Sequence, residues 1–211
     1  QENRQICTEV SYSLVIEGLS KSKRLGQGYI EDTAKRILES MWEEYEKGNK
    51  NVMPTSTIYA SIINIFAKRQ NQRDAVHYLN ELLDKYSTLS HHSLKPSAVC
   101  YNACLHAFNK ASIEEEAKKA EEILDLMIND IHVEPDSFSM TNVISAWANC
   151  NNPERAEAIL NNMQAIYEEG NQNMKPTTVS FGAVLNAFAR TGNATRAKDI
   201  VDHMEELQDN E

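Results

Sequence analysis

The sequence has little that would tie it to a membrane, an oxidising compartment or a catalytic centre. No apolar run approaches the roughly 18 residues that a membrane span needs. The opening "QENRQICTEV" has neither the basic start nor the apolar core of a signal peptide. Cys7, Cys100, Cys104 and Cys150 are too few, in 211 residues, for a dense disulfide framework, so a reducing interior is expected. There is no Gly-rich phosphate loop, no Ser/His/Asp grouping and no cluster of Asp suited to two-metal chemistry. The expectation is a chain that is not an enzyme and holds no cofactor or metal. Basic residues are outnumbered, 21 against 31 acidic, and a net charge of −10 taken alone argues against nucleic acid and for protein partners. What is present, 41% hydrophobic and 25% charged residues, is ordinary for a folded soluble chain and excludes a disordered tail.

Proline is also scarce, and four of the five prolines mark a repeat. Pro54, Pro96, Pro135 and Pro176 stand 42, 39 and 41 residues apart, a period that predicts a solenoid rather than ordinary domains. Five residues after each comes an anchor, Tyr59, Tyr101, Met140 or Phe181, and a fifth copy without its proline puts Tyr12 in the same column. From each anchor, apolar residues fall three, four and seven positions on, the face of one helix. The sets are Tyr12, Val15, Ile16, Leu19; Tyr59, Ile62, Ile63, Phe66; Tyr101, Cys104, Leu105, Phe108; Met140, Val143, Ile144, Trp147; and Phe181, Val184, Leu185, Phe188. A proline just ahead of each helix sits where its missing N–H does least harm.

A second amphipathic helix follows in every unit, starting from a small residue that permits close approach: Ala34, Ala75, Ala120, Ala156 and Ala197. No strand signal competes. The expected fold is all-α, an α-solenoid of about five antiparallel helix-turn-helix repeats wound as a right-handed superhelix. The repeats span approximately 8–54, 55–96, 97–135, 136–176 and 177–211, a single helical-repeat domain expected to be part of a longer protein. The insertions "SKSKRLGQGYIED" and "ASIEEEAKK" are expected to lengthen the connections between the two helices of the first and third units.

The acidic residues are not spread evenly. The windows 56–69, 98–111, 137–150 and 178–191, the first helices of units two to five, contain no Asp or Glu, where random placement would put about eight. Nine residues after each anchor stand Lys21, Lys68, Lys110, Asn149 and Arg190, four cations in five units. On a helix this column shares a face with the residue just after the anchor and the one two before it, opposite the apolar stripe. A row of cations at repeat spacing suits a single-stranded phosphate backbone and predicts salt-sensitive binding. A cation in a helix's last turn is also worth about 0.3–1 kcal/mol against the helix dipole. That alternative leaves the missing acids unexplained.

At "KPSAVCYNACLHAFNK" followed by "AEEILDLM" the pattern resembles the pentatricopeptide repeat, and the resemblance covers nearly the whole chain. The resemblance implies an organellar, mitochondrial or plastid, protein that binds single-stranded RNA at one base per repeat and serves RNA stability, processing or translation. Proteins of an RNA-processing or ribosomal assembly are further implied partners, with no membrane, and a targeting segment is expected to lie outside this stretch. By the same resemblance Val10, Thr57, Val99, Phe138 and Val179, two before each anchor, would sandwich bases. Ser13, Ala60, Asn102, Thr141 and Gly182, paired with Thr55, Ser97, Asp136 and Thr177, would read them, and Lys21, Lys68, Lys110 and Arg190 would hold phosphates. Asn102 with Asp136 implies uracil; Thr141 with Thr177, and more weakly Ser13 with Thr55, a purine. Ala60 and Gly182 have no side chain able to hydrogen-bond a base and depart from the family's code.

Residues outside this scheme have plainer readings. Cys104 occupies a core column, so Cys100, Cys104 and His106 read as buried or incidental rather than as a metal site. His91-His92 and Glu114-Glu115-Glu116 read as solvated. The rival function is a tetratricopeptide-like scaffold that mediates protein–protein interaction within an assembly. The net −10 favours it, and the missing Trp…Leu-Gly…Tyr signature counts against it.

Overall fold

Residues 8–22 and 24–209 are described by the structure, a computed structural model; Cys7 lies outside them. Among the described residues ten α-helices follow one another with no strand. They are α1 Glu9–Lys21, α2 Gln27–Glu46, α3 Ser56–Ala67, α4 Gln72–Leu89, α5 Ala98–His106, α6 Glu114–Asn129, α7 Ser137–Asn149, α8 Pro153–Glu168, α9 Thr178–Arg190 and α10 Ala194–Asp209. The odd-numbered helices carry the anchor columns and the even-numbered ones the alanine columns. This is an all-α solenoid of helix-turn-helix units.

Three of the odd helices begin on a residue whose side chain caps them. Thr55, Asp136 and Thr177 are extended N-caps whose side chains accept from the backbone N–H of Ile58, Ser139 and Ser180. Asp136 and Thr177 form capping boxes, with Ser139 and Ser180 hydroxyls accepting the return N–H bond at 2.7 and 2.9 Å. Two residues before Pro54, Pro96, Pro135 and Pro176 the chain drops an apolar side chain into the interior: Val52, Leu94, Val133 and Met174 are all buried. The sequence reading passed over this column, although its spacing is as regular as that of the anchors. The turns out of α3, α7 and α9 pass through left-handed backbone at Gln70, Asn151 and Gly192, with φ of 59°, 58° and 78°.

The two insertions lengthen the connections, to five residues between α1 and α2 and seven between α5 and α6 against three or four in the other units, and they also extend the helix that follows. α2 runs seven residues before Ala34 and α6 six before Ala120, against three before Ala75, Ala156 and Ala197. Part of each insertion therefore builds an extra helical turn. In α6 that turn is Glu114-Glu115-Glu116, helix formers whose charge suits the positive end of the helix dipole.

The chain divides into two compact units, Gln1–Ala107 and Phe108–Glu211. In the first, α1, α3 and α5 lie side by side, α2 packs on α1 and α3, and α4 on α3 and α5. In the second, α7 and α9 lie side by side, α6 and α8 pack on α7, and α8 and α10 on α9. The anchors Tyr59, Tyr101, Met140 and Phe181 are buried, and so are Ile62, Cys104, Val143 and Val184 three residues on. Val15, their counterpart in α1, is 51% exposed; among the described residues no helix precedes α1 to cover it. At the first unit's centre the Trp42 indole donates to the Tyr59 hydroxyl at 3.0 Å, which donates to Glu81 at 2.7 Å. Burial, and then the Glu81 carboxylate, push the Tyr59 pKa up, so the phenol remains a donor.

Candidate nucleic-acid interface

Burying the anchor stripe of an odd helix turns the opposite face outward. On that face Val10, Val99, Phe138 and Val179 are 60%, 64%, 54% and 66% exposed, and Thr57 in the same column is exposed as well. Four large apolar side chains in one column of a repeat, each solvated, gain nothing from the core. The helices α3, α5, α7 and α9 contain no carboxylate, whereas Glu9 adjoins Val10 on α1 and Asp136 stands at the cap of α7.

The residues proposed to read bases fall into two structural groups. Thr55, Ser97, Asp136 and Thr177 are the N-caps of α3, α5, α7 and α9, a role their position after proline could have signalled. Thr55 also donates to Glu9 at 3.2 Å, and the Ser97 hydroxyl lies 3.5 Å from the Cys100 sulfur. Of the residues after the anchors, Ser13, Asn102, Thr141 and Gly182 are half-buried, and the Thr141 hydroxyl donates back to the Ser137 carbonyl at 2.6 Å. Ala60 is buried at 6% exposure, so it faces the interior rather than a ligand.

Three members of the basic column, Lys68, Asn149 and Arg190, tie successive repeats. Lys68 Nζ donates to the Ser20 hydroxyl at 3.0 Å, and Asn149 to the Asn109 carbonyl at 2.7 Å. Arg190 donates to the Ala148 carbonyl at 2.5 Å and to Asn151 Oδ1 at 2.8 Å. Each partner belongs to the C-terminal end of the preceding odd helix or the turn after it, where carbonyls lack intrahelical donors and the dipole is negative. Lys68, Lys110 and Arg190 keep exposed positions with no carboxylate on their own helices, whereas Lys21 is paired with Glu17 one turn away. The Lys21 hydrogen bond and charge hold the Glu17 carboxyl below its usual range.

In the second unit, α7 and α9 enclose a cleft of about 280 Å³. Val179, Gly182 and Arg190, three residues proposed from sequence to stack, read and bind phosphate, line it together with Asn149, Ser145 and Asn186. Ser145 and Asn186 belong to a column five residues after the anchors that the sequence reading did not single out; Asn64 and His106 share it.

Comparison with known proteins fits this geometry. Residues 138–166 match the PPR repeat and residues 166–208 the pentatricopeptide repeat domain. Residues 138–208 are thus pentatricopeptide repeats. A pentatricopeptide repeat-containing protein of Arabidopsis thaliana is 25% identical over 160 residues, 76% of this chain and 25% of that protein. The crystal structure of the pentatricopeptide repeat protein PPR10 from maize superposes with a TM-score of 0.62 at 20% identity, covering 95% of this chain and 25% of that one. PPR10 in complex with an 18-nt psaJ RNA element gives 0.67 at 19% identity with the same coverage. The chain thus spans about a quarter of the length of these relatives. Pentatricopeptide repeats often belong to organellar proteins.

Cys100 and Cys104 sit in the repeats as core residues. Cys100 and Cys104 are buried, and burial raises both thiol pKa values, which disfavours the thiolate a metal would need. Among the described residues no three His, Cys, Asp or Glu side chains are grouped to hold a metal ion, and no helix is long and apolar enough to cross a membrane.

Proposed function

We propose that the chain binds single-stranded RNA along the outward face of its odd-numbered helices, at one base per repeat, in organellar RNA stability, processing or translation. The observation that carries this reading is the solvated column of Val10, Thr57, Val99, Phe138 and Val179 on helices that, from α3 onward, exclude acidic residues. Apolar side chains spaced one repeat apart offer flat surfaces on which successive bases stack, and neighbouring cations offset phosphate charge. The fold shared with PPR10, whose complex holds an RNA element, supports the same reading. The repeats 8–54, 55–96, 97–135, 136–176 and 177–211 act as one recognition domain of a longer array, covering about five nucleotides.

The test is fluorescence anisotropy of the chain against single-stranded RNA at two salt concentrations, with single-stranded DNA and duplex RNA as controls. Replacing Val99, Phe138 and Val179 together by alanine should weaken RNA binding by roughly a hundredfold or more, since stacking is worth about 1–3 kcal/mol per base. These side chains are solvated, so circular dichroism and melting temperature should hold. Affinity that survives the triple substitution, or its absence in the parent chain at low salt, sinks the reading in favour of a protein-binding scaffold. Reversing Lys68 and Arg190 is the poorer test, because both also tie adjacent repeats.

A further inference from the structure

The fifth repeat lacks a reading side chain, yet its cleft is open. A Cβ built on Gly182 would meet no atom within 4 Å, so the missing side chain leaves space that the fold does not fill. One helical turn further on, Asn186 is exposed and lines the same cleft, opposite Ser145 of α7. Among the described residues neither Asn186 nor Ser145 has a side-chain hydrogen-bond partner, so both keep their polar groups for a ligand. Asparagine is a poor helix former, and this one, in the third turn of α9, caps nothing.

A pattern in the sequence points the same way. The residue five after the anchor is Glu17, Asn64, His106, Ser145 or Asn186. The two repeats whose residue after the anchor cannot hydrogen-bond, at Ala60 and Gly182, are the two that carry Asn in this column. In the second repeat Ala60 is buried; in the fifth, the glycine opens the way to the amide.

We propose that Asn186 is a base-reading residue of the fifth repeat, and that its cleft takes an adenine. This rests on the RNA-binding reading above. The absent side chain at position 182 gives room for a purine rather than a pyrimidine. An asparagine amide presents a donor beside an acceptor, the complement of adenine's N6 amino group and its neighbouring ring nitrogen, whereas guanine's N7 and O6 both accept. Val179, exposed at the cleft wall, packs against the base face. Arg190, tied to the end of α7, stands at the phosphate side.

The experiment is selection of a random single-stranded RNA pool on the whole chain and on its Asn186→Ala, Asn186→Asp and Gly182→Asn variants, with melting temperatures recorded. The parent chain should enrich adenine at one position by roughly tenfold. Asn186→Ala should flatten that position alone, leaving the other positions and the salt dependence as they were. Asn186→Asp, which loses its donor and accepts from the cytosine N4 amino group, should move the preference towards cytosine. Gly182→Asn should suppress the adenine preference by filling the space. A parent chain that binds RNA without that adenine, or variants that leave it untouched, overturns the role of Asn186 while the RNA-binding reading stands. A parent chain that selects no RNA overturns both.

Discussion

The two units solve the same packing problem with opposite charges. In each, the residue after the alanine of one even helix pairs with the residue before the alanine of the next. In the first unit the pair is Lys35 on α2 with Asp74 on α4 at 2.8 Å. In the second it is Glu121 on α6 with Arg155 on α8, and then Glu157 on α8 with Arg196 on α10 at 2.7 Å. Beside α9 the aromatic in the same column is Phe188, and its pair keeps the second unit's polarity, so the match of sign to aromatic is confined to Phe66 and Trp147. Trp147 is 3% exposed, and its indole N–H, which can only donate, gives its hydrogen bond to Glu121 at 3.0 Å. Phe66, seven residues after its anchor as Trp147 is, has no N–H, and Lys35 instead lies 5.5 Å from its ring centre. Either sign serves on the even helices provided the neighbours match it. On the odd helices from α3 onward both units refuse acid, although packing tolerates charge of either sign elsewhere, so packing alone does not account for the refusal.

The largest break in the comparison is to remove its organising aromatic. Trp147→Ala should cost about 3–5 kcal/mol, since it empties a buried site and deprives Glu121 of a donor. Each unit holds one of the two tryptophans, so Trp42 fluorescence still reports the first unit while circular dichroism follows the whole chain through urea. A shift under about 1 kcal/mol would show that the indole does not organise the second unit.

Next in size is the sign itself. Exchanging the second unit's pair for the first unit's polarity, Glu121→Lys with Arg155→Asp, should cost about 1–3 kcal/mol, because the ion pair is rebuilt but the buried indole N–H loses its acceptor. In a Trp147→Phe background the same exchange should be close to neutral, and an Asp at the third residue of α8 even suits the helix dipole. Equal cost in both backgrounds, by urea midpoint, would detach the sign from the aromatic.

The repeat, its helices and its acid-free faces were legible in the sequence because each is a local periodicity of 3.6 residues or of about forty, visible within a single copy. The ties between copies were not. Lys68 reaching Ser20 and Arg190 reaching Ala148 join residues 48 and 42 apart, and one helix's pattern does not show what lies against its exposed end. Capping was missed for another reason. Thr55, Asp136 and Thr177 were weighed for their reach towards a base, while the same oxygen atoms stand nearer to the backbone N–H groups three residues on. The fate of Ala60 depends on how far α3 is rolled against its neighbours, which periodicity gives only to within a residue.

A smaller, sharper test places acid where both units refuse it. At Gly182→Asp the new side chain meets open space and the helix loses a glycine, so stability should stay within about 0.5 kcal/mol. RNA affinity should fall roughly tenfold at low salt and less at high salt, as repulsion between the carboxylate and phosphates is screened. Gly182→Asn, isosteric and neutral, separates charge from bulk. An unchanged affinity in the aspartate variant would mean that the exclusion of acids from α9 serves something other than RNA.

The smallest effect is expected from giving the first unit the second unit's polarity, Lys35→Glu with Asp74→Arg. The ion pair is partly exposed and reforms in reverse, so its own contribution barely changes. Two weak terms then act together. The cation over the Phe66 ring is lost, about 0.5–1 kcal/mol at a partly solvated site. Asp74 also leaves the first turn of α4, where its charge suits the dipole by about 0.3–1 kcal/mol and where it receives the Asn71 amide at 3.0 Å. The exchange should therefore lower stability by about 1 kcal/mol in urea titration, with RNA binding unmoved because both residues lie on even helices. A neutral result would show that polarity in the first unit is indifferent, leaving Trp147 as the single aromatic that dictates a sign.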